Sequence, residues 1–370
     1  MNVSIIIPTW NRSQLLEKLL ESLHSERHYF DGKIEIVVVD SSDGDEKLNI
    51  QSACTKYGAI YLHGEQSVRK KRNLGVRESH NELLLFLDSD VVALSGLVSA
   101  HVDAYRNRED IGAVQGLTEF VGKNTFLWNS TRLSKLVWSF SNAKRFPYQS
   151  WSITNNLSVR RGVFDEIGGF CEDFPFKLGG DDLEMSYRIN KAGYLIASAP
   201  DAVAEHSKET WNHVSALYDR TKRWGTMESL ICNLHPELYR YSIPPNYVFE
   251  FSTLLMLLLL AICLHDVKPL FMMLTAMMLF CAQRWIGEIH RHKGFVWPHH
   301  LVVGCAINAM YEFFRIKGHA KQKHRLPMMH SFVFNAYQVR GSFYEDSPRL
   351  WLMLFDYLVI IVIGVVMLHA

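Results

Sequence analysis

The sequence lacks the features by which several classes of protein are recognised. Its formal net charge is +1 over 370 residues, so the overall charge gives no indication of a nucleic-acid partner. No GxGxxG or Walker pattern occurs in it, which argues against a dinucleotide-binding fold and against a P-loop. The six cysteines form no CxxC pair, and we interpret them as small buried residues of a reducing compartment rather than as disulfides or zinc ligands. A signal-peptide pattern is also lacking, so the N-terminal domain is expected to stay in the cytosol.

Long apolar runs are confined to the last third of the chain, which predicts three parts. These are a soluble α/β domain over residues 1–230, a linker or interfacial segment over 231–246, and a membrane region over 247–370. Segments long enough to cross a bilayer as helices lie at about 247–264, 267–284 and 350–369. Residues 295–314 contain polar side chains and have basic flanks, so they either lie in the interface or span it. We expect a multi-pass protein of the inner (plasma) membrane.

The most informative stretch is an apolar strand that ends at a pair of acids. Leu83–Leu87 is apolar throughout, as in a strand buried on both faces of a parallel sheet, and Asp88-Ser89-Asp90 follows directly. Ligands of open α/β sheets collect beyond the carboxyl ends of the strands. Paired Asp oxygens there suit a hard cation such as Mg²⁺ or Mn²⁺, which commonly holds a phosphate. An Asp-rich turn is the structural alternative.

Two earlier strands and a basic helix are predicted at the same edge. Val3–Ile7, a helix from about Gln14, and Ile34–Val39 form a βαβ unit. This unit places Thr9 and Asp40 beside the acids. The helix predicted over 67–77 carries five cations; either they form a solvated face, or one of them neutralises a diphosphate.

A second acidic group lies further along the chain. After Gly179-Gly180, Asp181 and Asp182 open a helix, where the positive end of the dipole favours carboxylates. Asp182 is expected to point away from the i, i+4 pair of Glu184 and Arg188. His206 ends a later strand, where a histidine is either structural or a metal ligand. Candidate stacking platforms for a sugar or base are Trp10, Trp151 and Phe174.

In this order the segments resemble the family-2 glycosyltransferases with a GT-A fold, from Val3 to about Gly225. Ser4–Arg12 is similar to the family's opening strand and donor loop, and Val38–Ser42 to the strand whose Asp contacts the nucleotide base. Arg72–Gly75 is similar to a segment that supplies an Arg to the nucleotide, and Asp88-Ser89-Asp90 to the DxD motif. The resemblance implies donor-binding roles for Pro8, Thr9, Asn11, Arg12, Asp40, Arg72, Asp88, Ser89 and Asp90.

The same resemblance assigns the catalytic and acceptor sides. Thr154–Arg161 looks like the acceptor-side loop, and Gly180–Glu184 sits where the family has its Glu-Asp motif. Asp182 is then the catalytic base, while Asp90 and His206 hold the metal. The acceptor-side residues are Trp151, Asn156, Asp181, Arg223 and Trp224.

The chain departs from the family pattern at three positions. Ser41 stands where the family usually has a second acid, which weakens any assignment of the nucleotide base of the donor. Asp181 stands where it has Glu, which leaves the role of this residue open. Arg220 replaces the Gln of a QxxRW motif that Arg220–Trp224 otherwise resembles.

The predicted fold is therefore an α/β GT-A domain, Rossmann-like with a mostly parallel sheet and flanking helices, followed by an all-α transmembrane region. The leading hypothesis is an inverting glycosyltransferase similar to those of bacterial cell-surface polysaccharides, acting on a lipid-linked or saccharide acceptor. A polyprenyl-phosphate glycosyl synthase is the first alternative, because an ionised phosphate acceptor needs no base. A membrane-tethered protein that binds sugar nucleotides without turnover is the second, and a nucleotidyltransferase is a more distant third.

Overall fold

The computed structural model describes residues 1–173, 179–241, 247–292, 295–327, 330–332 and 347–369. The chain forms two compact units. The first comprises Met1–Lys123 and Trp138–Glu209, and the second comprises Asn124–Val137 and the described residues of 210–333 and 347–369. The first unit therefore ends before residue 230, where the sequence predicts the domain boundary, and the inserted segment 124–137 was not anticipated.

The elements up to residue 207 carry the candidate site. In chain order they are β1 (Val3–Thr9), α1 (Ser13–Glu26), β2 (Ile34–Asp40), α2 (Gly44–Tyr57), β3 (Ile60–His63), α3 (Val68–Arg77), β4 (Leu83–Leu87), β5 (Val91–Ala93), α4 (Leu97–Asp103), β6 (Ile111–Val121), α5 (Phe126–Thr131), a 3₁₀ helix (Lys135–Lys144), β7 (Tyr148–Gln149), β8 (Asn156–Arg160), α6 (Arg161–Glu166), α7 (Asp181–Lys191) and β9 (Leu195–Ser207). Of these, α5 lies in the second unit.

The remaining elements belong to the second unit, except that Lys208 and Glu209, the first two residues of the next 3₁₀ turn, belong to the first. They are a 3₁₀ turn (Lys208–Trp211), α8 (Val214–Leu234), a 3₁₀ turn (Pro236–Leu238), β10 (Tyr239–Tyr241), α9 (Tyr247–Leu264), α10 (Lys268–His292), α11 (Pro298–Lys321), β11 (His330–Phe332) and α12 (Ser347–His369). Strands β10 and β11 pair with each other in antiparallel fashion. Part of the predicted linker over 231–246 is thus helix and strand, and residues 242–246 lie outside the described residues.

The sheet of the first unit is mixed rather than mostly parallel. Its order is β3-β2-β1-β4-β8-β6-β9-β5, with β7 paired to β9. The four strands from β3 to β4 are parallel, as predicted, but β8 runs antiparallel to both β4 and β6. The segment predicted as an acceptor-side loop is this strand β8. Its sequence Asn-Leu-Ser-Val-Arg alternates polar and apolar residues, which is the period of a strand.

Strand β1 also runs further than predicted, because it continues through Pro8 to Thr9. Its pairing with β4 ends at Ile6, while its pairing with β2 continues to Thr9. Beyond Ile6 the strand has a neighbour on one side only. A proline without an N–H is therefore tolerated at this position, as it is in an edge strand.

Two apolar layers, one on each face of the sheet, decide which helices meet at its carboxyl edge. On one face, Ile5 and Ile7 pack with the leucines of α1. On the other, Ile6 and Phe86 pack with residues of both α3 and α7, such as Val76 and Met185. Helices α3 and α7 therefore share a face of the sheet, and this arrangement brings their charged residues together.

Gly75 allows α3 to approach β1 closely, and this contact gives a stability prediction. A Cβ at position 75 would lie 2.5 Å from Cγ2 of Ile6 and 3.2 Å from Cγ2 of Val39. We expect Gly75→Ala to lower the free energy of unfolding by about 1–3 kcal/mol, the usual cost of overpacking a core. Thermal or urea denaturation measures the change. Gly162→Ala is the matched control, because that Cβ would meet nothing within 4 Å; an equal loss in both variants would contradict the packing argument.

In the second unit, α9, α10 and α12 pack together through Leu257, Ala276, Phe280 and Ile360. Segment Lys268–Ile286 is the one helix in the described part of the chain that is long and apolar enough to cross a membrane by length and composition. Glu250–Leu264 and Phe355–Val366 are shorter apolar helices. Helices thus occur where the sequence places spans, and their insertion into a bilayer stays a prediction.

Candidate active site

The DxD-like segment lies at the carboxyl edge of the sheet, directly after β4. Strand β5 begins one residue after Asp90, and its pairing with β9 sets Val91 opposite His206. This register brings Nε2 of His206 to 3.7 Å from Oδ2 of Asp90. His206 and Asp90 therefore lie close together because β5 pairs with β9 in antiparallel fashion.

The hydrogen bond of His206 leaves the ring nitrogen that faces Asp90 able to bind a metal. Nδ1 lies 2.9 Å from the carbonyl oxygen of Ser207 and donates to it. In the neutral ring Nε2 then carries the lone pair, which is the tautomer that a metal ligand requires. Mg²⁺ and similar ions are commonly held by one or two protein groups together with substrate phosphates. Asp90 and His206 fit such a partial donor set. No group of three or more His, Cys, Asp or Glu suited to a metal occurs among the described residues.

Arg12 also reaches Asp90. Its Nη1 donates to Oδ2 of Asp90 at 2.7 Å, and its side chain is about half exposed. The donor loop that carries it turns at Asn11, whose φ is +50°, and the backbone N–H of Asn11 donates to Oγ of Ser42 at 2.7 Å. A flexible guanidinium thus lies on the carboxylate that is expected to bind the metal.

Asp40 does not present a carboxylate to a ligand, in contrast to the role that the resemblance implies. It is fully buried. Its Oδ1 accepts from the backbone N–H and the hydroxyl of Ser42 at 2.9 and 2.6 Å, and its Oδ2 accepts from the Tyr61 hydroxyl at 3.2 Å. Asp40 therefore supports the donor loop through Ser42. The prediction that its side chain contacts the nucleotide base is not supported by this geometry.

Lys71 is a buried cation that the sequence pattern did not separate from its neighbours. Its Nζ donates to the backbone oxygen of Thr9 at 2.6 Å and to Oγ of Ser41 at 2.9 Å. Burial lowers the pKa of Lys71 to about 8. This lysine ties α3 to the ends of β1 and β2. Ser41, the position at which the family pattern has an acid, is a partner of this buried ammonium.

Arg72 joins the two acidic groups. It is buried, and its Nη2 donates to Oδ1 of Asp88 at 3.0 Å while its Nη1 donates to Oδ2 of Asp181. Its guanidinium lies 5.3 Å from the centre of the Phe170 ring. One side chain therefore connects the end of β4 to the start of α7, so that Asp88 and Asp181, which are far apart in the sequence, contact the same guanidinium.

Asp182 is a carboxylate at this edge whose acidity is strongly altered. Helix α7 begins at Asp181 as predicted, after Gly180 with a φ of +83°. Oδ1 of Asp182 accepts from the N–H of Leu183 at 2.9 Å. Burial of the carboxyl, together with the negative charge of Asp181, raises the pKa of Asp182 to about 7. A carboxylate with this pKa is suited to proton transfer near neutral pH. The predicted pair of Glu184 and Arg188 is also confirmed, with Nη2 of Arg188 at 2.6 Å from Oε2 of Glu184.

The predicted acceptor-side residues differ in their surroundings. Asn156 is buried in β8; Oδ1 lies 2.9 Å from Nε2 of His101, and Nδ2 donates to the backbone oxygens of Leu117 and Ala202. It is a core residue rather than an acceptor contact, a role that its place on a central strand explains. Trp151 is half-buried and precedes Ser152, whose N–H donates to Oγ of Ser186 on α7.

The other predicted site residues also have definite positions. Pro8 and Thr9 end β1, and Ser89 is buried between the two acids. Trp10 is 49 % exposed and so has a free face for stacking, whereas Phe174 lies outside the described residues. Arg223 and Trp224 lie on α8 of the second unit. There the Trp224 ring is 6.1 Å from that of Trp211, and Nε of Arg223 donates to the backbone oxygen of Asp219.

Comparison with known proteins shows which kind of domain this chain resembles. Residues 4–170 match the family described as Glycosyl transferase family 2. The glycosyltransferase AglE of Haloferax volcanii is 28% identical over 211 residues, which are 55% of this chain and 66% of that protein. The O-antigen chain rhamnosyltransferase RfbN of Salmonella typhimurium is 24% identical over 218 residues, which are 56% of this chain and 67% of that protein. The matches support a family-2 glycosyltransferase domain with a GT-A-like mixed sheet.

A solved structure is also similar to this chain. The mannosyltransferase PcManGT from Pyrobaculum calidifontis, in complex with GDP-Man and Mn²⁺, has a TM-score of 0.49 and 17% identity, over 97% of this chain and 85% of that chain. This chain covers between 61% and 66% of the length of the first three curated relatives that it matches.

Proposed function

We propose that this protein is a metal-dependent, inverting glycosyltransferase. It transfers a sugar from a nucleotide-sugar donor to a hydroxyl of a lipid-linked or polysaccharide acceptor at the cytosolic face of the plasma membrane. The observation that carries the proposal is the Arg72 bridge, which places the helix of Asp182 at the end of the strand that carries Asp88. The family match over residues 4–170 supports the reaction class.

The donor side must neutralise a leaving diphosphate. Asp90 and His206 would hold Mg²⁺ or Mn²⁺, which supplies positive charge against the phosphate oxygens. Arg12 is half exposed and adjacent, so its guanidinium can turn from Asp90 towards the same oxygens. Buried Lys71 and Asp40 keep the donor loop in place.

The acceptor side needs a base, and Asp182 supplies it. Its carboxylate takes the proton of the acceptor hydroxyl while the hydroxyl oxygen forms a bond to the anomeric carbon. The bond from that carbon to the diphosphate oxygen breaks, and the nucleoside diphosphate leaves with the electron pair. A single displacement inverts the anomeric centre and requires no second carboxylate as nucleophile. A base with a pKa of about 7 favours a hydroxyl acceptor over the already ionised phosphate of a polyprenyl-phosphate synthase.

Exposed apolar side chains of the second unit support the membrane location. On α9 and α10 these include Leu255, Leu259, Ile262, Phe271 and Met278. Near the end of α10, Phe295 and Trp297 are also exposed, 61% and 59% respectively, as expected of aromatic residues in an interfacial layer. Alkaline extraction of membranes from expressing cells tests the location. We expect the chain to stay with the lipid, and its release into the soluble fraction would contradict membrane insertion.

A panel of nucleotide sugars tests the reaction. The purified full-length protein is incubated with each donor and Mn²⁺, and nucleoside diphosphate release is measured. We expect metal-dependent hydrolysis of a small subset of donors, and loss of that activity in Asp182→Asn. Metal-dependent donor binding by calorimetry without any hydrolysis or transfer would instead support a binding protein.

A further inference from the structure

We infer that Arg72 is a positioning residue, a buried side chain that connects the donor motif to the helix of the base, and that its pair with Asp181 sets how readily Asp182 acts as a base. The inference rests on the proposed function, since it assigns roles within the same site. It also replaces two sequence-based assignments: Arg72 is no longer assigned to nucleotide binding, and Asp181 is no longer assigned to the acceptor side.

The hydrogen bonds of Arg72 are directed to the protein. Nη1 and Nη2 donate to Asp181 and Asp88 respectively, and the side chain is only 4% exposed. A guanidinium that is clamped between two carboxylates and stacked near Phe170 has little capacity left for a diphosphate. Arg12, which is about half exposed, is the arginine at this edge that a donor can reach.

Neighbouring residues of α3 hold the segments on the Asp181 side of Arg72. Nδ2 of Asn73 donates to the backbone oxygen of Phe170 at 2.8 Å, and Oδ1 of Asn73 accepts from the N–H of the same residue at 3.0 Å. Nη2 of Arg69 donates to the backbone oxygen of Gly179 at 3.0 Å, just before α7. The segment before α7 is therefore held against α3 by hydrogen bonds from α3 side chains to backbone groups. Arg72 then connects the start of α7 to Asp88.

Three charged groups act on Asp182, and their signs differ. Asp181 on the same helix disfavours the ionised form of Asp182, whereas Arg72 on α3 favours it. Arg69, also on α3, interacts with both aspartates. Because Asp181 and Arg72 are paired, each offsets part of the effect of the other on Asp182. Removing Asp181 should therefore lower the pKa of Asp182, whereas removing Arg72 should raise it. A loss of packing alone would not produce shifts of opposite sign.

The test compares four variants of the full-length protein: Asp181→Asn, Arg72→Gln, Arg72→Lys and Glu184→Gln. The first measurement is the pH dependence of kcat/KM for hydrolysis of the best donor at saturating Mn²⁺. The acid limb should move to lower pH by about one unit in Asp181→Asn, since a like charge is removed. It should move to higher pH in Arg72→Gln. Arg72→Lys keeps the positive charge but cannot contact both Asp88 and Asp181. We therefore expect kcat to fall while the acid limb stays at the same pH.

Glu184→Gln is the matched control, because it removes a carboxylate from the same helix. The acid limb of its kcat/KM profile should lie at the same pH as in the unchanged protein. The second measurement needs neither donor nor metal: infrared difference spectra against Asp182→Asn follow the protonated carboxyl band of Asp182 as the pH is raised. The band should disappear at lower pH in Asp181→Asn and at higher pH in Arg72→Gln.

Shifts in the same direction for both variants, or no shift in either measurement, would overturn the inference. An equal shift in Glu184→Gln would do the same. Failure of the proposed function has a different signature: Asp182→Asn would retain full turnover, whatever the pH profiles of the other variants.

Discussion

Asp182→Asn should lower kcat for transfer by about 10²–10⁴-fold, the usual contribution of a positioned general base. The amide keeps the size of the side chain and can still accept from the N–H of Leu183, but it cannot take a proton. Donor binding should be nearly unchanged, because the proposed donor contacts lie at the end of β4 and in the donor loop. Steady-state kinetics and calorimetry with the same donor separate the two effects. Unchanged turnover would mean that the acceptor needs no base, as with a phosphate.

The raised pKa of Asp182 adds a second expected result for this variant. In the folded protein the pKa of Asp182 is about 7, above the 3.8 that is ordinary for an aspartate. The folded state thus binds the proton more tightly, so ionisation of Asp182 weakens the fold progressively as the pH rises from the lower value to the higher. We expect Asp182→Asn to melt at a higher temperature than the unchanged protein at pH 8, and at a similar temperature at pH 4. A lower melting temperature at pH 8 would contradict the raised pKa.

Much of the donor side could be predicted because local sequence determines it. Apolar runs followed by Asp40 and Asp88 define buried parallel strands, and the carboxyl ends of such strands meet at one edge. The paired Gly179-Gly180 before Asp181 likewise marks the start of α7. These features depend on residues close together in the chain, so pattern and spacing are sufficient to find them.

The errors arise where long-range contacts decide the role of a polar residue. Nothing near Asn156 in the sequence indicates His101 or Ala202, which bind its amide in the core. Tyr61 is likewise distant from Asp40. Arg72 could have been recognised, since Val76 follows it at i+4 and helical spacing puts both on the inward face of α3. A cation on the apolar face of a helix indicates a buried partner, and here there are two.

Asp90→Asn should abolish most metal-dependent activity, with a loss comparable to that caused by EDTA in the unchanged protein. The substitution leaves a neutral amide oxygen in place of the charged carboxylate of the proposed metal site, and His206 alone would provide a single protein ligand. We expect His206→Ala to weaken Mn²⁺ affinity as well, so that its activity recovers at higher Mn²⁺ while that of Asp90→Asn does not. Activity titrations against Mn²⁺ in the presence of donor measure both effects.

The contact between Arg12 and Asp90 gives a further prediction, and it determines how a reaction insensitive to EDTA would be explained. Its guanidinium contacts Asp90 at 2.7 Å, so a metal ion that binds this carboxylate must displace a positive side chain. Arg12→Gln removes that competitor, and we expect tighter Mn²⁺ binding by calorimetry even if donor turnover falls. Full activity of the unchanged protein after EDTA would contradict a metal-dependent reaction. In that case the cation that faces the leaving diphosphate would be Arg12 itself, and Arg12→Gln would then be the inactive variant.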